Sequence, residues 1–355
     1  MSEHEGLVAP SVPTVRVSAP SGATFFGVKC SQNQLVGVGS SSIVVVGIVL
    51  GFAFTPPSAD PPPWDRLSAI IGWWYFTAWA VSFLPQLYLN YTRKCVVGQS
   101  FDYVVLNVLG FTSYSIYNVA FYAVPSVQRD YRDRFGNDNN VELNDVGFAV
   151  YATLLVLINS WQIVVYERGA QRVARWVQLL VATTLLLFVV WLCVLLYGFH
   201  TTVFFNTLDL LYGLSIVKLA VSLIKYLPQL YLNYQRQSTI GWNIWNVLLD
   251  FTGGFLSVTQ QLIDCGTTGR WNGIVGNGAK FALGSFSMVY DVAFVVQHFV
   301  LYRQNSRRQQ ERDAAAHRLD DAATWPPNTT ATTTVAATSA GDNINSASMH
   351  SIAAT

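Results

Sequence analysis

The chain has 355 residues, of which 52% are hydrophobic and only 12% charged, with a formal net charge of +1. A water-soluble domain usually carries about a quarter charged residues, so too little polar surface exists here to coat a soluble globule of this size. The near-neutral balance gives no footing for nucleic acid; the expected surroundings are a lipid bilayer.

Residues 1–66 are read as an N-terminal luminal extension. Its apolar run from Ser40 to Phe54 is rich in β-branched residues and short for a span, which favours a luminal strand; the alternative is an extra span at 40–54 that would put the N-terminus in the cytosol. Pro56, Pro57, Pro61, Pro62 and Pro63 form a stiff connector. Seven apolar stretches then follow, at roughly 68–90, 103–125, 146–166, 175–199, 206–234, 243–264 and 280–302. A spanning helix needs about 20 mostly apolar residues, and backbone groups in lipid must be satisfied within the segment, so the fold class is an all-α polytopic membrane protein with seven transmembrane helices.

Positive charge sets the orientation. Arg93 and Lys94 follow the first span, Arg168, Arg172 and Arg175 the third, Arg236 the fifth, and Arg303, Arg307 and Arg308 the seventh. On the other side Arg129, Arg132 and Arg134 are balanced by Asp130, Asp133, Asp138 and Glu142. The ends of the odd spans, and the C-terminus, are therefore expected in the cytosol. Residues 304–355 are read as a disordered cytosolic tail, rich in Ala, Thr, Ser and Asn beyond about Gln310. The sequon at Asn328 would go unused there.

The heptapeptide Pro85-Gln86-Leu87-Tyr88-Leu89-Asn90-Tyr91 recurs unchanged at Pro228 to Tyr234. In the same gapless register Gly98 falls on Gly241 and Gly110 on Gly253, after which the likeness fades. Residues 67–166 and 206–303 are thus two three-helix units joined by a linker helix within 167–205. A single linking helix makes the units parallel, with both Pro-Gln dipeptides on one side, and duplicated membrane units commonly enclose a transport site at their interface. Pro85 and Pro228 each remove a backbone bond and bend the axis; matched prolines with Gln86 and Gln229 suggest hinges.

Asp250, inside the sixth span, is the costliest residue in the chain, because an intramembrane carboxylate is a functional hypothesis by default. The register pairs it with Asn107, and Asn246 lies one turn before it on the same face. Asp291 lies inside the seventh span; it is either a structural partner or a proton site. Lys218 and Lys225, seven residues apart on one face, either bind a substrate carboxylate or pair with Asp250 or Asp291; Lys225 has the further option of snorkelling to the interface. Asp102 and Asp145 fit helix caps. Cys193 reads as a small core residue, and Cys30 and Cys265 as a bridge if both face the lumen. His200 and His298 have no partners at metal spacing, and no nucleophile elbow, phosphate loop or zinc signature is present. Neither an enzyme nor a cofactor or metal site is expected.

At these residues the chain resembles the PQ-loop family, and specifically its lysosomal cystine exporters. The likeness rests on the two Pro-Gln motifs and on Ile71-Gly-Trp, Tyr75-Phe-Thr-Ala-Trp79, Ser100-Phe-Asp102, Tyr166 to Arg172, Val217 to Ser222, Leu249 to Gly254 and Gln297-His-Phe299. It covers roughly residues 68–303. The resemblance implies proton-coupled symport of L-cystine from an acidic lumen to the cytosol, with protons and cystine as partners and a lysosomal or equivalent membrane as the site. It implies Asp250 and Asp291 as the proton-linked carboxylates, and Asn107, Asn246, Lys218, Lys225, Trp79, Phe83 and Tyr114 as residues lining or gating the substrate site. The region ahead of the first span is shorter than the family's glycosylated luminal domain and lacks a luminal sequon. After Tyr302 the family's tyrosine-based sorting signal is also absent. The alternatives are a PQ-loop carrier of another amino acid or a sugar, and a seven-helix membrane cargo receptor.

Overall fold

A computed structural model of the chain describes residues 24–25, 28–29, 32–53, 62–136, 139, 141, 143–197, 206–269 and 278–324. Apart from a two-residue hairpin pairing Thr24–Phe25 with Val28–Lys29, the described chain is helical. The helices are α1 Gln32–Ala53, α2 Trp64–Ser82, α3 Leu84–Arg93, α4 Phe101–Ala123, α5 Pro125–Phe135, α6 Leu143–Val165, α7 Arg175–Leu196, α8 Thr207–Ile224, α9 Leu227–Arg236, α10 Ile244–Thr268, α11 Gly278–Val296 and α12 Arg303–Thr324. A π-helical turn, Gln297–Leu301, ends α11.

All seven expected spans are helices. Six are long and apolar enough to cross a membrane: α2 with α3, α4, α6, α7, α8 with α9, and the stretch from Gly284 through the π turn. The remaining one, α10, is 25 residues long but carries Asp250, Thr252, Gln260, Gln261 and Asp264, which lower its apolar character. Proline has no N–H to continue a ladder, and the first and fifth spans break just ahead of Pro85 and Pro228, at Phe83 and at Lys225-Tyr226.

Two expectations at the ends change. The Ser40–Phe54 run is not a strand: its β-branched residues lie in α1, which packs on α2. Trp74 Nε1 donates to the Val44 carbonyl at 3.1 Å, and Gly47 and Gly51 bring the backbone of α1 against Trp74 and Ile70. Small residues four apart permit this close approach between helices in lipid. The outer face of α1, including Val38, Val45 and Phe52, is exposed. The segment after 304 is not disordered from its start but continues as α12 to Thr324, where Gln, Arg and Ala runs supply good helix formers. Residues beyond 324, with the Asn328 sequon, lie outside the described residues.

The two units face each other through crossed pairs, α2 against α10 and α8 against α4. Matched glycines make both crossings close: Gly253 lies under the Trp79 indole and Gly110 under Val221. At the Pro-Gln end the chains meet backbone to backbone. Gly98 (φ 103°) and Gly241 (φ 98°) oppose each other, so that a Cβ on either would strike the partner strand of chain. Only glycine accepts that conformation at no steric cost.

The repeated glutamines bind across this seam. Gln86 Nε2 donates to the Gly241 carbonyl at 3.0 Å, and its Oε1 accepts from Asn243 N at 2.8 Å. Reciprocally, Gln229 Nε2 donates to the Gly98 carbonyl at 2.9 Å and its Oε1 accepts from Ser100 N at 2.6 Å. Ser100 and Asn243 are themselves the N-caps of α4 and α10. Each glutamine also bonds an asparagine one turn on, Asn90 or Asn233, at 2.9 Å. Those asparagines donate to Gln162 and Gln297, both at 3.0 Å, and the latter pair donate to the carbonyls of Leu87 and Leu230, again at 3.0 Å. The repeat therefore persists into the third helices, where the primary sequence no longer shows it.

Asp102 does not cap its own helix: its carboxylate accepts from Ala174 N at 2.7 Å, at the start of α7. Cys193 lies exposed on the outer surface of α7 rather than in a core, and Cys265 is a buried free thiol, while Cys30 lies outside the described residues.

Replacing Gln86 or Gln229 by alanine leaves a buried carbonyl and a buried N–H at the seam unpartnered, at a cost of about 1–3 kcal/mol per group. Gln86→Ala and Gln229→Ala are each expected to lower the unfolding temperature in detergent markedly more than alanine at exposed Gln178. Equal melting curves for the three variants would contradict the clamp.

Candidate functional site

The helix breaks at Phe83 and Lys225-Tyr226 turn side chains inward where α2, α4, α8, α10 and α11 converge. A cavity of about 20 Å³ opens beside the seam, lined among others by Phe83, Gln86, Gln99, Tyr103, Asn107 and Asn246. That is room for about one water, against roughly 300 Å³ at the small end of ordinary ligand pockets. The units are closed down on this end.

Phe111 sits at the centre of the arrangement. Its ring packs edge-on against Phe83, with centroids 5.4 Å apart. The Lys218 ammonium lies 3.6 Å from the Phe111 centroid and 5.5 Å from that of Tyr114. Lys225 lies 5.6 Å from Phe111, 4.5 Å from Tyr226 and 6.0 Å from Tyr103, and donates to Asn107 Oδ1 at 3.4 Å. Among the described residues neither lysine comes within 4.0 Å of a carboxylate. Of the two options open for the lysines, pairing with Asp250 or Asp291 is therefore not realised here. Aromatic faces hold an ammonium at about 0.5–2 kcal/mol, far less than a buried carboxylate would.

The two carboxylates differ in surroundings. Asp250 accepts hydrogen bonds from the Tyr226 hydroxyl at 2.5 Å and the Ser287 hydroxyl at 3.0 Å. Asp291, one turn after Ser287, is 1% exposed, and neither of its oxygens has a hydrogen-bond partner. It interacts electrostatically with Asp250 and with Lys225. A buried carboxylate without donors is costly to hold as an anion.

Of the residues picked out in the sequence, the structure brings Phe83, Asn107, Asn246, Lys218, Lys225, Tyr114, Asp250 and Asp291 into one neighbourhood at the interface of the units. Trp79 stands on its rim, stacked edge-on against Tyr75 with centroids 5.2 Å apart and lying over Gly253. Pro85, Gln86, Pro228 and Gln229 form its floor and the seam beneath. Sequence reasoning missed Phe111, Tyr103, Tyr226 and Ser287. Tyr226 was within reach, because it occupies the register position of Phe83, immediately before Leu-Pro-Gln in both repeats.

Comparison with known proteins agrees with this layout. The family profile described as PQ loop repeat matches residues 67–127 and 210–267, one match around each Pro-Gln pair. Cystinosin of Bos taurus is 44% identical over 240 residues, 67% of this chain and 64% of that protein. The cystinosin homolog of Dictyostelium discoideum is 38% identical over 246 residues, covering 67% of this chain and 82% of that protein. The cystine transporter of Saccharomyces cerevisiae is 25% identical over 251 residues, 68% of this chain and 95% of that protein. The chain thus spans a little under two thirds of the bovine relative and most of the other two. Duplicated Pro-Gln repeats, the matched glutamine clamps and this level of identity together place the chain in the cystinosin family of PQ-loop membrane proteins.

Proposed function

We propose that this protein carries L-cystine out of the acidic lumen of the lysosome, coupled to protons. The observation that carries this reading is a site with two lysines held by aromatic rings rather than by counter-ions, facing two intramembrane carboxylates of unlike surroundings. Cystine has two carboxylates and two ammonium groups. Its carboxylates suit Lys218 and Lys225, amides at Asn107 and Asn246 tolerate either charge, and Asp250 suits an ammonium. Trp79, Phe83 and Tyr114 shape the chamber. The names of the relatives support the substrate.

Proton coupling follows from the same charges. A carboxyl that takes a proton from the lumen closes around its ligand at a lower desolvation cost. When the seam between Gly98 and Gly241 opens, the higher cytosolic pH removes the proton and the solute leaves. Pro85 and Pro228, with Gln86 and Gln229, are the elements that bend. Arginine and lysine at the Pro-Gln end support a cytosolic location for that end and for the C-terminus. We read α1 as lying in the bilayer beside α2, from its packing on Trp74 and Ile70 and its exposed apolar outer face, which would set the residues ahead of it in the cytosol rather than the lumen. Protection of an N-terminal epitope from cytosolic antibody in selectively permeabilised cells would reverse that assignment.

Cells carrying the protein at the surface are expected to take up labelled cystine at acid external pH and little at neutral pH. Asp250→Asn and Asp291→Asn are each expected to cut that uptake about tenfold or flatten its pH profile; undiminished uptake with an unchanged profile in both variants removes the coupling scheme. Flux of another amino acid or a sugar instead would redirect the substrate, and binding of a protein tail without flux would make the protein a cargo receptor. Lys218→Ala is expected to raise the KM for cystine about tenfold, the scale of losing a hydrogen bond to a charged group, with Lys218→Arg partly restoring it.

A further inference from the structure

In the first unit, the loop ahead of α4 is stapled from outside the unit. Gln171, just before α7, accepts from Gly98 N at 3.0 Å and donates to the Gln99 carbonyl at 2.8 Å. The second unit has its own staple, supplied by α12. Ser306 Oγ accepts from Thr239 N at 3.3 Å and lies 3.4 Å from Ser238 Oγ. Tyr302, ahead of it, is 4% exposed. Tyr302, Ser306, Gln309 and Asp313 fall on one face of the helix, spaced by four, three and four residues, and all four are buried or half-buried while their neighbours are exposed.

That face ends on an unusual pair. Arg93 and Arg236 close α3 and α9 at equivalent positions of the two repeats, one on each side of the seam. Arg236 Nη1 donates to the Ile240 carbonyl at 2.7 Å. Arg93 is 6% exposed, and its Nε and Nη2 have no hydrogen-bond partner. Asp313 interacts electrostatically with both guanidinium groups. Burial pushes its carboxyl up from the ordinary range while Arg93 and Arg236 pull it back.

We propose that α12 is a latch on the cytosolic seam: Ser306 pins the second unit's loop, and Asp313 bridges Arg93 of one unit to Arg236 of the other, so that the two units part at Gly98 and Gly241 only when α12 lifts. The Asp313 carboxylate, midway along α12, offsets the repulsion between two arginines that closure brings together. Lifting α12 restores that repulsion and favours opening. The latch rests on the reading of the protein as a carrier that opens at this seam. It concerns which state is populated and not which solute is carried.

The test uses Cys95, which sits in the seam at 1% exposure. Burial pushes its thiol pKa up, so in the closed state it reacts slowly with maleimide. In the full chain with Cys30, Cys193 and Cys265 changed to serine, labelling of Cys95 from the cytosolic face by an impermeant maleimide reads seam opening without any transported solute. Asp313→Asn and Ser306→Ala are each expected to speed labelling by about fivefold or more, the low end of ordinary coupling between sites. Asp313→Lys should be fastest, and Asp313→Glu should stay near the parent. Equal rates across Asp313→Asn, Asp313→Lys and the parent overturn the latch, whatever cystine flux shows. A graded labelling series without cystine flux leaves the latch standing and overturns the assigned substrate.

Discussion

The reciprocal glutamine clamp is the constraint on which the rest depends. Each Pro-Gln motif satisfies two backbone groups of the opposite unit, a carbonyl in a glycine turn and the amide of a helix cap. In hydrocarbon, unpaired backbone groups cost several kcal/mol each. The prolines break α2–α3 and α8–α9 so that the glutamines can reach sideways, and the glycines let the two turns touch. Register between the units, helix starts at α4 and α10, and depth of the central site all follow from where these bonds lie. The asparagine and glutamine relays through Asn90–Gln162 and Asn233–Gln297 carry the same constraint outward to α6 and α11.

Above this floor the site keeps its charges apart. Lysines rest on aromatic faces, Asp250 is held by hydroxyls, and Asp291 stands alone. A tight lysine–aspartate pair would be neutral and stable and would have little reason to open for a zwitterion. Aromatic support fixes the cations in place at modest strength, so a ligand bearing both signs can outcompete it. On the proposed reading, such an arrangement would disfavour solutes with one sign of charge, because a lone carboxylate or ammonium would leave the complementary half of the site unpaired.

Much of this was legible in the chain. Apolar stretches located all seven helices, six of which are long and apolar enough to cross a membrane, since lipid imposes length and composition directly. The letter-for-letter heptapeptide gave the duplication, and its register matched Asn107 to Asp250 and Gly98 to Gly241, the last two opposing each other in the structure. What stayed hidden was long-range or context-dependent. The Gln162–Gln297 correspondence is carried by hydrogen-bond geometry, and the intervening loops differ in length. Phe111 looks like any apolar residue of a span until two ammonium groups are found around it. Asp102 has the position of a cap to its own helix, yet α7 claims it. Ser40–Phe54 has strand-like composition, but packing of Gly47 and Gly51 on α2 favours helix, as tertiary context often overrides local propensity. The opening residues of α12 read as tail in the sequence because composition alone does not reveal a face anchored at Tyr302.

The polarity of α10 bears on how the protein is made. Its length suits a bilayer, yet Asp250, Thr252, Gln260 and Asp264 make it a poor candidate to partition from the translocon unaided, where each central charge costs about 2.5–3.5 kcal/mol. Its inward face is compatible with lipid only once Trp79 of α2 and the small-residue surface of α11 cover it. Biogenesis of the second unit therefore depends on a first unit already in place, and substitutions along α2 should reduce the yield of correctly threaded protein before they touch its activity.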